Sequence, residues 1–307
     1  MKKEINNPIK VNSILQLHEL LGFEKPTHPL ISINHKVNMV LDDVLLNQHF
    51  LFNFYKISYK RTLKGKMGYG QGYYDFSEGG MIFTAPNQML STSDEDMEYE
   101  GLTLVFHSDF IRNYPLATRI KNFGFFSYTA NEALFLSDKE KQTVFSVFEN
   151  IKTELNGNID DFSQDVMISH IEVLLNYCNR FYKRQFITRK AVNNDLLAKI
   201  EQLLTDYFDN ETALHKGLPT VEYLATELNL SPRYLGDMLR SLNGQNAQQL
   251  IHEKLIERAK EYLTATPFSV AEVAYQLGFE HPQSFNKLFK NKTNQTPLEF
   301  RQMFHHN

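Results

Sequence analysis

A single cysteine, Cys178, stands in a chain of 307 residues. That excludes an intramolecular disulfide framework and fits a reducing interior. Cys178 sits inside an apolar helical repeat, so a core thiol is expected rather than a nucleophile. No run of apolar residues approaches the roughly 18 that a membrane helix requires. The opening MKKEINNPIK is polar and charged and leads to no long apolar stretch, so no signal peptide is expected. The expectation is a cytoplasmic protein with no membrane partner.

An excess of positive charge is missing as well. The net charge is −4, which argues against a general polyanion binder. From Asp195 onward acidic residues outnumber Lys and Arg, so any nucleic-acid reading must rest on where the cations lie. Signatures of catalysis are absent too: there is no G-x-S-x-G elbow and no G-x-x-x-x-G-K-[ST] phosphate loop. His28, His35, His49 and His107 are well separated and form no H-x-H pair, whereas a catalytic metal calls for clustered ligands. No catalytic residue, metal ligand or cofactor is assigned.

What is present suffices for packed cores, with 42% apolar and 13% aromatic residues and a length suited to two domains. Residues from about 26 to 130 read as β-rich. HPLISINHKV, HFLFNFYKISYK, GGMIFTAPN and EGLTLVFH combine β-branched and aromatic residues with partial alternation. KGKMGYGQGYY and SEGG punctuate them, which suggests a small barrel or sandwich. Tyr55, Ile57 and Tyr59 alternate with Lys56, Ser58 and Lys60; the first three are expected inward, and none is assigned to a ligand.

The period changes near residue 137. Ser137 to Glu140 forms a capping box, and Val144, Val147, Phe148, Ile151 and Leu155 follow at helical spacing. A second helix begins near Ser163, with Met167, Ile171, Leu174, Cys178 and Phe181 at alternating steps of four and three. Such a seam calls for a partner helix, either the preceding one or the same helix of a second subunit. RFYKRQFITRKAVNN then reads as a basic, aperiodic connector.

The last third contains an internal repeat. Leu224, Ala225, Leu228, Asn229 and Leu230 recur as Val273, Ala274, Leu277, Gly278 and Phe279; Leu235 and Leu239 recur as Phe285 and Phe289. Each copy obeys the steric logic of a helix-turn-helix. The small alanine permits close approach of two helices, and four positions on comes a residue tolerant of positive φ. Ser231–Pro232 supplies an N-cap and an N1 proline, with His281–Pro282 in the same place.

The outward side chains of the second copy are His281, Gln283, Ser284, Lys287 and Lys290, and no acidic residue occurs from His281 to Leu298. Amides and ammonium groups on one face suit base edges and phosphates in a major groove. In the first copy the outward set is Arg233, Tyr234, Gly236, Asp237 and Arg240. Asp237 either accepts from a cytosine amino group, orients a neighbouring arginine, or is tolerated on a solvated face. Between the copies, NAQQLIHEKLIERAKEYLTA reads as one helix of about 30 Å. That is close to the ~34 Å between successive major-groove faces.

LATELNLSPRYL, LIHEKLIERAKEYL and SVAEVAYQLGFEHPQSFNKLFKNKTNQTPLEFR carry a resemblance to the AraC family of bacterial transcriptional regulators. The resemblance covers the last ~110 residues. It implies two helix-turn-helix units on a linking helix, with base-facing places at Arg233, Gly236 and Asp237, then Pro282, Gln283 and Lys287. Gly236 and Asp237 depart from the polar or basic residues usual there, and Lys287 stands where arginine is usual. The N-terminal part is similar to the cupin-like barrel that many members carry. The expected fold is therefore α+β and multidomain. Residues 1–136 are a β-rich sensing domain and 137–185 a helical pair for homodimerisation. A linker at 186–194 then leads to a double helix-turn-helix domain at 195–307. Implied partners are promoter DNA, a second copy of the chain, the transcription machinery, and a small-molecule effector if one exists. A cupin-type binding protein or metal-dependent enzyme with an accessory helical domain is the alternative.

Overall fold

The computed structural model describes residues 8–36, 48–64, 66–69, 72–75, 80–91, 98–129, 132–158, 160–188 and 190–304. The opening decapeptide up to residue 7, and Ser77 to Gly79 of the SEGG punctuation, lie outside them. The chain divides into two compact units, Met1–Gln185 and Phe186–Asn307.

In the first unit the strands are β1 (Ile9–Val11), β2 (Ile31–Lys36), β3 (His49–Phe52), β4 (Phe54–Lys64), β5 (Lys66–Tyr69), β6 (Gly72–Asp75), β7 (Gly80–Thr84), β8 (Met89–Ser91) and β9 (Glu98–His107). They form three sheets, ordered β1-β3-β8, β2-β9-β4-β7 and β5-β6. KGKMGYGQGYY, read as turn punctuation, supplies most of the β5–β6 pair. No closed sheet is formed by the described strands; the architecture is α+β with an open N-terminal sheet region. At the centre of the largest sheet, Gly101 is required by close approach: a Cβ there would come within 2.2 Å of the Tyr59 carbonyl oxygen.

Helices α1 (Ile14–Leu20), α2 (Leu116–Arg119), α3 (Asp138–Asn156) and α4 (Ser163–Thr188) complete the unit. The Ser137 amide donates to the Glu140 carboxylate at 2.8 Å, as the capping box predicts. The α4 seam is buried without a second copy of the chain. Met167, Ile171, Leu174, Cys178 and Phe181 are all buried within the single chain, and the C-terminal half of the helix meets the sheet. Cys178 Sγ lies 3.7 Å from Met81 Sδ on β7, and the Tyr182 ring lies 6.1 Å from Phe83 and stacks on Phe125 at 5.5 Å. Burial pushes the Cys178 thiol far up from its ordinary value, which suits a core role. The Gln185 side chain donates to the Ala133 carbonyl at 3.2 Å and accepts from the Phe135 amide at 2.8 Å. Fully burying each apolar residue of the seam contributes about 1.5–3 kcal/mol.

The alternation along β4 also turns out differently. Ile57 and Tyr59 are buried as expected, yet so are Ser58 and Lys60. Both faces of this sheet are covered. Helix α4 lies over the face of Ile57 and Tyr59, since their partners Phe83 and Met81 meet Tyr182 and Cys178. The sheet β1-β3-β8 lies over the other, where Val105 of β9 and Phe54 of β4 join Val11, Ile14, Leu17, Phe50 and Phe52 in one cluster.

The connector expected at 186–194 is helical instead, for α4 runs to Thr188 and α5 (Lys190–Asp209) begins two residues later. The second unit continues with α6 (Thr212–Lys216), α7 (Val221–Glu227), α8 (Pro232–Asn243), α9 (Ala247–Ala265), α10 (Val270–Gln276), α11 (Pro282–Thr293) and α12 (Pro297–Phe304). Tyr207, Phe208, Leu255, Ala259, Leu263, Val273, Leu277, Phe285 and Phe289 share one core. Helix starts follow the sequence signals: Asn246 with Gln249, and Ser269 with Glu272, form reciprocal capping boxes.

Candidate nucleic-acid interface

Helices α7–α8 and α10–α11 are built alike. Ala225 and Ala274 are buried at the crossing of each pair. The turn residues are left-handed, Asn229 at φ 54° and Gly278 at φ 88°. The next amide then reaches back to the alanine carbonyl, Leu230 to Ala225 at 2.8 Å and Phe279 to Ala274 at 3.0 Å. This bond satisfies an orphan carbonyl at the helix end and fixes the bend. Ser231 accepts from the Tyr234 amide and caps α8. His281 precedes Pro282 at the start of α11 but makes no side-chain cap bond.

On α11 the expected stripe is accessible. Phe285 and Phe289 are fully buried, while His281, Gln283, Ser284, Lys287 and Lys290 are exposed. Asn286 and Asn291 are exposed as well and flank the stripe. They went unassigned, although helical spacing from Gln283 and Lys287 identifies both. The helix ends on cations: Lys290 and Lys292 lie in its last turn, where they oppose the negative end of the helix dipole.

On α8 only part of the stripe is outward. Arg233 and Arg240 are exposed, and Asp237 is half-buried between them. Arg233 Nε donates to Asp237 Oδ2 at 3.2 Å, and Arg240 Nη1 donates to Oδ1 at 2.6 Å. Of the roles left open for Asp237, orientation of neighbouring arginines is the one seen. Tyr234 and Gly236 correct the sequence reading, for both are buried. The Tyr234 ring meets Phe186 edge-on, with centroids 5.1 Å apart. A large apolar ring gains more from such burial than its hydroxyl gains in water.

The two stripes differ at matched positions. With the period of the second half of each copy, Arg233 corresponds to Gln283, Asp237 to Lys287, and Arg240 to Lys290. The first is a bridged set of two guanidinium groups and one carboxylate; the second is one neutral amide and two ammonium groups with no carboxylate. Between them α9 runs for 19 residues, or about 28 Å at the usual rise. Among the described residues, no helix is long and apolar enough to cross a membrane, and no group of three or more His, Cys, Asp or Glu could hold a metal ion.

Residues 224–303, which take in both helical pairs, match the family model described as a helix-turn-helix domain. The HTH-type transcriptional activator RhaS of Salmonella paratyphi B is 29% identical over 138 residues, 44% of this chain and 46% of that protein. Histidine kinase P4 of Formosa agariphila is 25% identical over 118 residues, 38% of this chain and 8% of that one. The chain thus spans less than half the length of these curated relatives. Among solved structures, the C-terminal domain of the two-component response regulator yesN from Fusobacterium nucleatum is 29% identical. That match covers 33% of this chain and 95% of that one, with a TM-score of 0.29. The doubled C-terminal motif is thus similar to the helix-turn-helix domain of that family model and to the matching part of RhaS.

Proposed function

We propose that the chain is a sequence-specific regulator of transcription that binds double-stranded promoter DNA through its second unit. The observation that carries this reading is the α11 face, on which Gln283, Lys287 and Lys290 are exposed above a buried Phe285–Phe289 spine. Amide and ammonium groups there match base edges and phosphates, and the absence of carboxylates from His281 to Leu298 removes repulsion from the backbone. The likeness to RhaS, described as a transcriptional activator, supports the same reading. In the first copy Arg233, Asp237 and Arg240 contact the duplex as one bridged group, and Tyr234 serves the core.

The first unit, residues 1–136 with the helices of 137–185, senses an effector or joins two copies, with the three sheets as parts of a small cupin-like barrel. With the α4 seam buried in one copy, a homodimer contact falls instead on a flanking face of that helix and the residue before it. Phe162, Val166 and Val173 are exposed there along one line, 70%, 38% and 41% accessible. Selection of bound duplexes from a random pool by the full chain tests the central proposal. A recurrent motif with two sub-sites about one helical turn apart is expected, and recovery of unenriched sequence refutes it.

A further inference from the structure

A stiff rod such as α9 sets the distance between the two helix-turn-helix units, but each unit can still rock about the side chains that seat it. A second contact, away from the axis of α9, is needed to fix their angle. Tyr207, near the end of α5, supplies one. It is buried, and its ring meets the Tyr223 ring of α7 edge-on, with centroids 4.9 Å apart. Its hydroxyl donates to the Gly217 carbonyl at 3.1 Å. A buried phenol needs such an acceptor, and burial raises its pKa above the ordinary value, so the donor proton is retained.

Gly217 touches both units. It closes α6 at φ 81°, three residues before Thr220, which caps α7 by accepting from the Tyr223 amide at 3.0 Å. Whatever holds Gly217 therefore holds the start of the first helix-turn-helix. Its other side backs onto the second: a Cβ added to Gly278 would come within 2.8 Å of the Gly217 oxygen. Tyr207 itself lies in the core that contains Phe285 and Phe289 of α11, and Tyr223 packs against that same core. One side chain thus touches the lead-in to α7, a ring on α7 and the floor beneath α11.

We propose that Tyr207 is a positioning residue for DNA recognition: through Tyr223 and the α6 turn it locks the angle at which α8 and α11 meet successive grooves. The proposal rests on the reading of the second unit as a DNA-binding domain. Binding constellations tolerate errors of only about 0.5 Å and 10–20°. Two recognition helices on one duplex therefore need their mutual angle set as well as their separation. The hydroxyl is the specific element. Phenylalanine fills the same core space, but it leaves the Gly217 carbonyl without that donor and the α6 turn without that hold.

The test compares the full chain with Tyr207→Phe and Tyr223→Leu on the selected duplex, and on versions with one base pair added or removed between the sub-sites. Each such step shifts one sub-site by about 3.4 Å and roughly a tenth of a turn. The parent is expected to lose about tenfold or more in affinity per step. Tyr207→Phe is expected to bind the selected duplex about tenfold more weakly and the altered ones almost equally well, so the spacing profile flattens. Its affinity for random DNA and its salt slope stay as in the parent. Phe208→Leu, a neighbouring change in the same core, is expected to lower the thermal midpoint and keep the parent's profile. An unflattened profile in both tyrosine variants, an equal loss on every duplex including random DNA, or flattening in Phe208→Leu overturns the proposal. A second readout needs no DNA. Spin labels on Glu222→Cys and Ala271→Cys, equivalent exposed places on α7 and α10, are expected to give one narrow distance in the parent and a broadened one with Tyr207→Phe; Cys178 is buried and takes no label. An unchanged distribution overturns the brace whatever the DNA titrations give, whereas broadening in a chain that selects no duplex overturns the DNA reading and leaves the brace.

Discussion

Gly278, in the turn between α10 and α11, lies directly against the backbone of Gly217, in the turn after α6. A Cβ at Gly278 would stand 2.6 Å from the Gly217 carbonyl carbon and 2.7 Å from the Ala213 carbonyl oxygen. Gly217 cannot retreat freely, since its own carbonyl accepts from the Tyr207 hydroxyl at 3.1 Å. Gly278→Ala therefore combines a strained positive φ with a clash against fixed backbone. A loss of at least about 2 kcal/mol in stability of the second unit is expected in urea denaturation. A loss below roughly 0.5 kcal/mol, the scatter of neutral surface changes, would show that the α6 turn yields.

Lys287→Ala is expected to weaken specific duplex binding by about 1–3 kcal/mol with little change on random sequence. Lys290→Ala is expected instead to reduce the slope of log affinity against log salt by about one contact. Titrations at several salt concentrations separate the two. Unchanged slope in the second variant would remove Lys290 from the phosphate track.

Asp237→Asn breaks the bridge that holds Arg233 and Arg240. Both guanidinium groups lose that carboxylate partner, and one negative charge near the duplex is lost. Affinity for random DNA is expected to rise while discrimination between selected and random sequence falls. If discrimination rises instead, the carboxylate was a liability rather than a positioning group.

Leu174→Asp separates two accounts of α4. Leu174 is fully buried within the chain, so the variant is expected to lose folded signal in the first unit rather than dissociate as an intact monomer. Val166→Glu with Val173→Glu, on the exposed line, is expected to give folded monomers in equilibrium sedimentation. A dimer that survives the double change places the homodimer contact elsewhere.

The Lys56 ammonium titrates at about 8 against an ordinary 10.5. Between those values the unfolded chain binds more protons than the folded one, so stability rises with pH through that window. Below pH 8 both states carry the proton and the cost of enclosing it is undiminished. Lys56→Met lacks this dependence. The stability gap between variant and parent is expected to narrow from pH 7.5 to 9.5, by up to about 3 kcal/mol over the full window. A constant gap means that solvent reaches the ammonium freely.

The second unit was legible because its signals are local. Alanine, a φ-tolerant residue and a cap recur at fixed offsets, and each constrains only its neighbours. Tyr234 was misread because helical spacing gives the direction of a side chain but not what lies opposite it. The basic stretch 180–194 looked aperiodic because Gln185, a polar residue, holds one of the buried places beside Phe181, Tyr182 and Phe186. Lys56, Ser58 and Lys60 were placed outward on the rule that alternation marks one solvated face. That rule fails when a second sheet covers the polar side. The sheet contact made by Cys178 was equally invisible: Met81 and Cys178 are 97 residues apart.

Asp237 and Lys287 occupy the same station in two successive copies of one motif, joined by the single stiff rod of α9. Turned end for end on a duplex, the chain would bring a carboxylate to the spot an ammonium had occupied. The footprint of one chain is therefore inherently polar, with a head and a tail. A promoter element suited to it is direct and asymmetric within that footprint, and reversing the element reverses the bound chain.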